Sequence, residues 1–413
     1  MPVPKLRFKD DNGNDFPAWE EKKLGDISNV TKLAGFEFTK YVNYSDTGKI
    51  IALRGLNIKN GKLILNDVKY IDNSDFSKLS RSKLKKGDIL LTYIGTIGEC
   101  ALITEDDKYY LAPNVAMIRM FDTNPRYMIY FFQCDILRRE LYRYTTASSQ
   151  EALTMENVRK MKIFRPVFPE QKKIADFFSS FDKRIETTQK KLTTLEKLKK
   201  GFMQKIFSQQ LRFKDANGND YPAWAEKKLG DVCSKIGSGK TPKGGQKIYQ
   251  DFGIPLIRSQ NVQDGALKLD DAVYISEKIN DSMKNTEVHF NDILLNITGA
   301  SIGRCCIYEK NIKANVNQHV CIIRIKSQNS KFLLFELLSN LIQNQIDRVQ
   351  SGGSKQGLNF QQISNFFVLL PSLPEQEKIA DFLSAFDEKM DLVRKEVDTL
   401  QTIKKGLLQQ MFV

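Results

Sequence analysis

Residues 6–26 read LRFKDDNGNDFPAWEEKKLGD, and residues 211–231 read LRFKDANGNDYPAWAEKKLGD. The two copies differ at three positions, and the offset between them is 205 residues. The same offset relates the stretch PEQKKIADFF, which begins at Pro169, to PEQEKIADFL, which begins at Pro374. A repeat of this length indicates a duplicated domain, because solenoid repeats have periods of about 20–50 residues. The sequence therefore predicts two similar halves built on one frame.

Between the repeated blocks the halves agree in pattern but not in side chains. LRGLN at residues 53–57 matches IRSQN at 257–261, and GDILL at 87–91 matches NDILL at 291–295. Short apolar runs between turn residues predict strands, for example at residues 88–94, 115–120 and 319–325. Residues 127–144 and 331–349 are predicted to be helical. The predicted fold class is α+β, with two binding modules of different specificity.

The tail of each half carries an apolar pattern of period 3.5, which is typical of a coiled coil. The pattern runs from Ile174 to Ile206 and from Ile379 to Met411, and Thr188 and Lys199 fill interrupted positions of the first tail. Residues 170–205 hold ten Lys and Arg against five Asp and Glu, whereas residues 375–405 hold six against eight. Opposite charge favours pairing of the two tails within one chain. Pairing with an identical chain in a homodimer is the alternative.

These patterns predict two similar globular domains separated by two long antiparallel coiled-coil helices, arranged as a pseudo-twofold internal repeat. The predicted segments are residues 1–168 for the first domain, 169–207 for the first helix, 208–373 for the second domain and 374–413 for the second helix.

The composition narrows the classes of partner. Sixty-three Lys and Arg against 49 Asp and Glu give a formal net charge of +14, which favours a polyanion such as nucleic acid or an anionic membrane. Six cysteines without a Cys-x-x-Cys pair, and two histidines, do not predict a zinc site. The N-terminus lacks the apolar core of a signal peptide, and no run of about 18 apolar residues predicts a membrane span. We expect a cytoplasmic protein without a membrane partner.

Catalytic motifs are incomplete. IGSGKT at residues 236–241 is similar to a phosphate-binding loop, but Ser234 stands where that pattern needs Gly, and Pro242 follows where a helix would have to begin. NPRY at residues 124–127 lacks the second Pro of the amino-methyltransferase motif. The chain is therefore predicted to be non-catalytic, with no metal and no cofactor of its own. A methyltransferase or nuclease, and a coiled-coil scaffold without a nucleic-acid role, are the alternatives.

Residues suited to DNA recognition are better represented in this sequence than catalytic motifs. Arg54 and Arg258 follow matched apolar runs, and each has an asparagine three residues later. Arginine is suited to guanine, and asparagine or glutamine to adenine, in the major groove, while lysines of a glycine-rich loop suit phosphates. An ordinary polar surface is the alternative for each position. The predicted DNA-binding residues are Arg54, Asn57, Asn114, Ser149, Lys240, Thr241, Lys243, Arg258, Gln260, Asn261, Gln318, His319, Ser354 and Lys355.

The chain resembles the DNA-specificity subunits of type I restriction–modification systems. The stretches that carry the resemblance are PAW at 222–224 with LGD at 229–231, GIPLIRSQNV at 253–262, DILLNITGASIG at 292–303 and LPEQEKIAD at 373–381. The first half departs from this pattern at residues 54–57, where RGLN replaces RSQN, at residues 113–115, where PNV replaces QHV, and near Gly95, where one residue is absent. These departures suggest that the two half-sites differ.

The resemblance implies two target recognition domains that each read one part of a split, asymmetric DNA sequence, and two helices that act as a ruler. It also implies two modification subunits that methylate adenine, and restriction subunits that translocate and cleave DNA. S-adenosylmethionine, ATP and Mg would then belong to those partner subunits, and the chain itself would be non-catalytic.

Overall fold

The computed structural model describes residues 4–145, 153–351 and 357–412. The chain divides into two units, Met1–Gln189 with Lys395–Val413, and Lys190–Arg394. Each unit combines a globular part with portions of both long helices. The four segments proposed from the sequence stay a prediction.

The first unit alternates short strands with short helices. Its strands are β1 (Glu20–Lys23), β2 (Ser28–Lys32), β3 (Ile51–Leu53), β4 (Ile58–Lys59), β5 (Lys62–Leu63), β6 (Lys69–Tyr70), β7 (Ile89–Thr92), β8 (Cys100–Leu102), β9 (Tyr109–Leu111), β10 (Val115–Met120) and β11 (Lys162–Arg165). Its helices are α1 (Leu24–Ile27), α2 (Gly35–Tyr41), α3 (Pro125–Phe132), α4 (Asp135–Thr145), α5 (Met155–Lys160) and the first part of α6 (Phe168–Phe207).

The second unit repeats this order. Its strands are β12 (Ala225–Lys228), β13 (Cys233–Ser238), β14 (Ile254–Ile257), β15 (Val262–Gln263), β16 (Ala266–Leu267), β17 (Val273–Ile275), β18 (Ile293–Asn296), β19 (Cys305–Ile307), β20 (Asn315–Val316), β21 (Val320–Ile325) and β22 (Phe367–Leu370). Its helices are α7 (Leu229–Val232), α8 (Glu277–Asp281), α9 (Ser330–Leu337), α10 (Asn340–Ser351), α11 (Phe360–Ser364) and the first part of α12 (Leu373–Met411), whose end belongs to the first unit.

The sheet topology is the same in both units. An antiparallel four-stranded sheet has the order β2-β10-β7-β8 in the first unit and β13-β21-β18-β19 in the second. A three-stranded sheet has the order β6-β3-β9 or β17-β14-β20, and in each the last pair is parallel. The matched topologies confirm the α+β fold and the internal repeat.

The four-stranded sheet is buried on both faces. On β7, Ile89 and Leu91 face a core shared with the helices, whereas Leu90 faces a second core shared with the three-stranded sheet. The matched residues of β18 divide in the same way. Because successive side chains of a strand point to opposite faces, burial on both faces requires the uninterrupted apolar runs of the sequence.

The near-identical sequence blocks contact each other within each unit. Arg7 pairs with Glu170 at 2.7 Å, and Arg212 pairs with Glu375 at 2.7 Å. Both carboxylates are 0% exposed. Each block thus supplies one member of a buried ion pair, and loss of either member leaves a costly buried charge or an unpaired donor. This gives a physical reason for the close similarity of the blocks.

In the first unit the two long helices run antiparallel to each other. Lys404 of α12 donates to Asp182 of α6 at 2.7 Å, and Arg184 of α6 donates to Glu396 of α12 at 3.3 Å. Thr188, which interrupts the apolar spacing, is buried. The pairing joins the basic tail to the acidic tail, as the charge pattern predicts.

The second unit pairs its portions of the same helices in the same sense. Arg394 donates to Glu196 at 3.4 Å, and Lys199 donates to Asp387 at 2.6 Å. The ammonium of Lys199 also lies 4.7 Å from the ring centre of Phe335. Lys199 therefore occupies its interrupted heptad position with an ion pair and a cation–π contact in place of apolar packing.

The two predicted helical stretches 127–144 and 331–349 are each divided into two helices, α3 with α4 and α9 with α10. The amide of Gln133 donates to the carbonyl of Tyr130 at 3.1 Å, and that of Ser339 donates to the carbonyl of Glu336 at 2.9 Å. These are tightened i to i−3 bonds that end the first helix of each pair. Within the described ranges, no helix is long and apolar enough to cross a membrane.

Candidate nucleic-acid interface

Each unit places its predicted arginine at the start of a short helical turn after the central strand of the three-stranded sheet. The turn is Gly55–Asn57 after β3, and Ser259–Asn261 after β14. The side chain of the last residue accepts from the arginine amide, at 3.0 Å for Asn57 and Arg54 and at 2.9 Å for Asn261 and Arg258. The turn is therefore closed by its own asparagine.

The two asparagines do not face solvent, contrary to their predicted place among the DNA contacts. Asn57 and Asn261 are both 0% exposed. Their amides donate to backbone carbonyls, at 2.9 Å to Ile64 and at 3.0 Å to Lys268. A side chain satisfied in this way cannot reach a base edge without breaking the turn, so these residues position the arginine loops instead.

The aspartate next to each arginine has different partners in the two units. In the first unit, Arg54 donates to the carboxylate of Asp67 at 2.8 Å. In the second unit, the carboxylate of Asp271 accepts from Gln260 at 2.5 Å and from Asn261 at 2.8 Å. Both arginines also donate to the backbone carbonyl of their aspartate, Arg54 at 3.0 Å and Arg258 at 3.1 Å.

The first unit has an open cleft of about 540 Å³ beside its arginine. Leu56 is 54% exposed and Ile94 is 40% exposed in this cleft. Partial burial raises the pKa of Tyr44 above its ordinary value, and the positive charge of Arg54 opposes that rise. The cleft is lined by Phe38, Tyr44, Arg54, Gly55, Leu56, Ile58, Lys59, Thr92, Ile94, Thr96, Glu99, Pro113 and Asn114.

Asn114 lies in the same cleft as Arg54, so the structure brings these two predicted contacts together. Its backbone has a φ of +71°, and its carbonyl accepts from the amide of Tyr93 at 3.2 Å. Asparagine tolerates this left-handed conformation better than most residues. Asn114 is exposed where it lines the cleft.

The second unit has a chain of polar side chains at the matched loops. The hydroxyl of Thr241 donates to the Gln318 amide oxygen, and the Gln318 amide nitrogen donates to Nε2 of His319 at 3.0 Å. In the tautomer that accepts this bond, Nδ1 of His319 donates to the hydroxyl of Thr298 at 2.6 Å. The structure thus joins three predicted contacts, Thr241, Gln318 and His319, in one network.

The glycine-rich loop of the second unit reaches the same network. A Cβ on Gly239 would lie 1.6 Å from the carbonyl oxygen of Val316, so close backbone packing requires glycine there. Lys240 and Lys243 are exposed on this loop, and Lys240 donates to the carbonyl of Ser282 at 3.0 Å. Both exposed ammonium groups are of a type that binds DNA phosphates.

Three predicted contacts, Ser149, Ser354 and Lys355, lie outside the described residues. Sequence reasoning missed four residues that shape the two loops: Leu56 and Ile94 in the first unit, and the paired Asp67 and Asp271. The matched offset of 204 residues, which relates Leu56 to Gln260, was a signal that could have found the first of these.

The cysteines lie in the cores. All six are buried, and burial raises the pKa of Cys100 and of Cys306 to about 12. Their thiols are therefore neutral at physiological pH and poor ligands or nucleophiles. Over the part of the chain that the structure describes, no group of three or more His, Cys, Asp and Glu could hold a metal ion.

Comparison with known proteins points to one family. The family model for the Type I restriction modification DNA specificity domain matches residues 18–197 and again residues 222–402. The type I restriction enzyme MjaVIII specificity subunit of Methanocaldococcus jannaschii is 24% identical over 426 residues, covering 97% of this chain and 94% of that protein. The type I restriction enzyme EcoBI specificity subunit of Escherichia coli is 31% identical over 161 residues, covering 38% of this chain and 34% of that protein.

A solved structure has the same fold over the whole chain. The type I restriction-modification system S subunit from M. genitalium matches with a TM-score of 0.59 and 16% identity, covering 100% of this chain and 99% of that one. At this identity the likeness concerns the fold.

Proposed function

Since the chain belongs to the type I restriction modification DNA specificity family, we propose that it reads a split, asymmetric DNA target, one segment with each unit. The observation that carries this proposal is a shared frame with different loops. The sheets of the two units match strand for strand, whereas the exposed loop residues at matched positions differ in charge and polarity. Different side chains on one scaffold suit two different DNA segments.

The proposed contacts are the exposed or half-exposed members of the predicted set. Arginine and the amide side chains are proposed to read base edges, and the loop lysines to bind phosphates. Ser149, Ser354 and Lys355 stay predictions. The proposed contacts in the described ranges are Arg54, Asn114, Lys240, Thr241, Lys243, Arg258, Gln260, Gln318 and His319.

The chain is proposed to act without catalysing a reaction itself, in the cytoplasm. Two modification subunits would methylate adenine with S-adenosylmethionine, and restriction subunits would use ATP and Mg to translocate and cleave DNA. The incomplete catalytic motifs of this sequence support that division of labour. The family of the chain supports assembly with such subunits.

The long helices are proposed to set the spacer between the two DNA segments. Four extra residues in each helix, inserted after Gln189 and after Arg394, add about 6 Å of helix, which is close to two base-pair steps. The spacer should widen by about two base pairs while both half-sites keep their sequences. An unchanged spacer would contradict the ruler.

A methylome tests the central proposal. This chain and its cognate modification subunit are expressed in a methylation-free host, and N6-methyladenine is located by sequencing. A split motif that appears only with this chain supports the proposal and gives both half-sites and the spacer. If a purified complex forms but no motif appears, sequence-directed methylation is excluded for this pair of subunits.

A further inference from the structure

The cleft of the first unit is apolar at positions where the second unit is polar. Leu56 matches Gln260, and Ile94 matches Thr298, at an offset of 204 residues. Across the next loop Pro113 of the first unit matches Gln318, at an offset of 205. The substitutions all run in one direction, from hydrogen-bonding side chains in the second unit to side chains without polar groups in the first.

The apolar side chains of the first unit are open to a partner. Leu56 and Ile94 are exposed in one cleft beside Arg54 and Lys59, which carry positive charge. Glu99, the acid that lines the cleft, is engaged by the backbone amide of Asn60 at 2.7 Å. Arg54 and Lys59 supply cations for DNA at this cleft, while the side chains of Leu56 and Ile94 cannot hydrogen-bond to bases or phosphates.

Only one base offers an apolar group in the major groove, the 5-methyl group of thymine. We propose that Leu56 and Ile94 read thymine in the first half-site by apolar contact, whereas the second unit reads its half-site with hydrogen bonds from Gln260 and Gln318. This inference rests on the proposed function. It assigns a specific chemical group of the DNA to a named pair of side chains.

Replacing thymine by uracil removes the methyl group and leaves the hydrogen-bonding edge unchanged. The complex of the full chain with its modification subunits is tested on duplexes that carry the target found by the methylome. The first half-site is assigned as the one whose recognition survives Arg258→Ala. Uracil at one or more of its thymine positions should weaken binding about fourfold, the value for one buried methyl group. Uracil in the second half-site is the matched control and should change binding less than twofold.

Variants then connect the methyl group to the side chains. Leu56→Ala and Ile94→Ala should reduce the ratio between thymine and uracil duplexes from about fourfold towards one. The matched variants Gln260→Ala and Thr298→Ala should leave that ratio unchanged. Both apolar side chains are exposed, so a thermal melt should show an intact fold.

Four outcomes would overturn the inference. The first is a first half-site without thymine on either strand, and the second is equal binding of thymine and uracil duplexes. The third is an unchanged ratio in both apolar variants, and the fourth is a uniform loss on every sequence, which indicates packing against the sugars and not against bases. Absence of any split motif in the methylome would instead remove the proposed function, and this inference with it.

Discussion

In the first unit Asp67 holds the guanidinium of Arg54, whereas in the second unit the matched Asp271 holds the amides of Gln260 and Asn261. The closing asparagine accepts from the arginine amide in both loops, but its own amide donates to the backbone carbonyl of Asp67 in the first unit and to the carboxylate of Asp271 in the second. Leu56 has no donor with which to engage the aspartate, whereas the matched Gln260 donates to it. The carboxylate that pairs with Arg54 in the first unit is thus occupied by amides in the second unit.

The comparison shows that the shared scaffold of the two units and their exposed loops can differ independently. Buried ion pairs and sheet topology are repeated, and the exposed loops differ. Variants at matched positions can sharpen or break this separation, because each position in one unit has its own control in the other.

The largest effect is expected from the buried ion pair of the frame. Arg7→Met leaves the fully buried Glu170 without its arginine, which should cost about 3–5 kcal/mol in the free energy of unfolding. In the second unit the indole of Trp224 also donates to Glu375 at 3.1 Å, whereas the indole nitrogen of Trp19 has no partner among the described residues. Arg212→Met should therefore cost about 1–2 kcal/mol less than Arg7→Met.

Urea unfolding measures this difference. The exposed Lys9 provides a control, since Lys9→Met should change stability by less than about 0.5 kcal/mol. Equal costs for the two arginine variants would show that the Trp224 bond contributes nothing to the second frame.

A buried acid distinguishes the two cores. Glu336 is fully buried, and burial raises its pKa to about 8, although the amide of Leu369 donates to it at 2.5 Å. Phe131 stands at the matched position of the first unit. The folded state keeps the proton that the unfolded chain releases near pH 4.5, so stability falls as pH rises from about 4.5 to about 8.

Glu336→Gln should remove this pH dependence. The variant should be close to the natural chain near pH 4.5 and exceed it by about 3 kcal/mol at pH 7, since each pH unit in this range corresponds to about 1.4 kcal/mol. Calorimetry at several pH values measures the gap. A gap that stays constant with pH would show that Glu336 does not titrate in this range.

The next expected effect is a loss of DNA-binding free energy in variants of the two arginines. Arg258→Ala should relax recognition of the second half-site by about 1–3 kcal/mol, the range for one arginine–base contact. Arg54→Ala should cost less, because Asp67 already engages that guanidinium. Competition binding with single-base variants of each half-site measures both. A loss shared equally by the two half-sites would show that the arginine does not read bases.

The sequence was sufficient to predict the two repeated units and the long helices. The repeat identified two units, and the apolar period of 3.5 predicted the long helices, because both signals depend on many residues at once. The divisions between α3 and α4 and between α9 and α10 left no sign, since apolar residues such as Cys134 continue across them.

The site was harder to predict for a chemical reason. An asparagine after an arginine suits an adenine edge and suits a helical turn equally well, and burial decides between the two. Asn57 and Asn261 proved to be buried, and no local pattern distinguishes them from the exposed Asn114. The roles of Asp67 and Asp271 depend on folding of the loop, because each lies ten residues beyond the asparagine it contacts.

The smallest expected effect tests why Asp67 and Asp271 have different side-chain partners in the two units. Gln260→Leu gives the second loop the residue of the first, so Asp271 becomes available to pair with Arg258. Binding to the second half-site should fall by about 0.2–1 kcal/mol, the range for an exposed ion pair, in addition to any contact of Gln260 itself. Adding Asp271→Asn separates the two causes, because an amide still accepts from Asn261 but cannot form an ion pair. Recovery in the double variant would attribute the loss to capture of Arg258, and no recovery would attribute it to Gln260 and contradict the aspartate exchange.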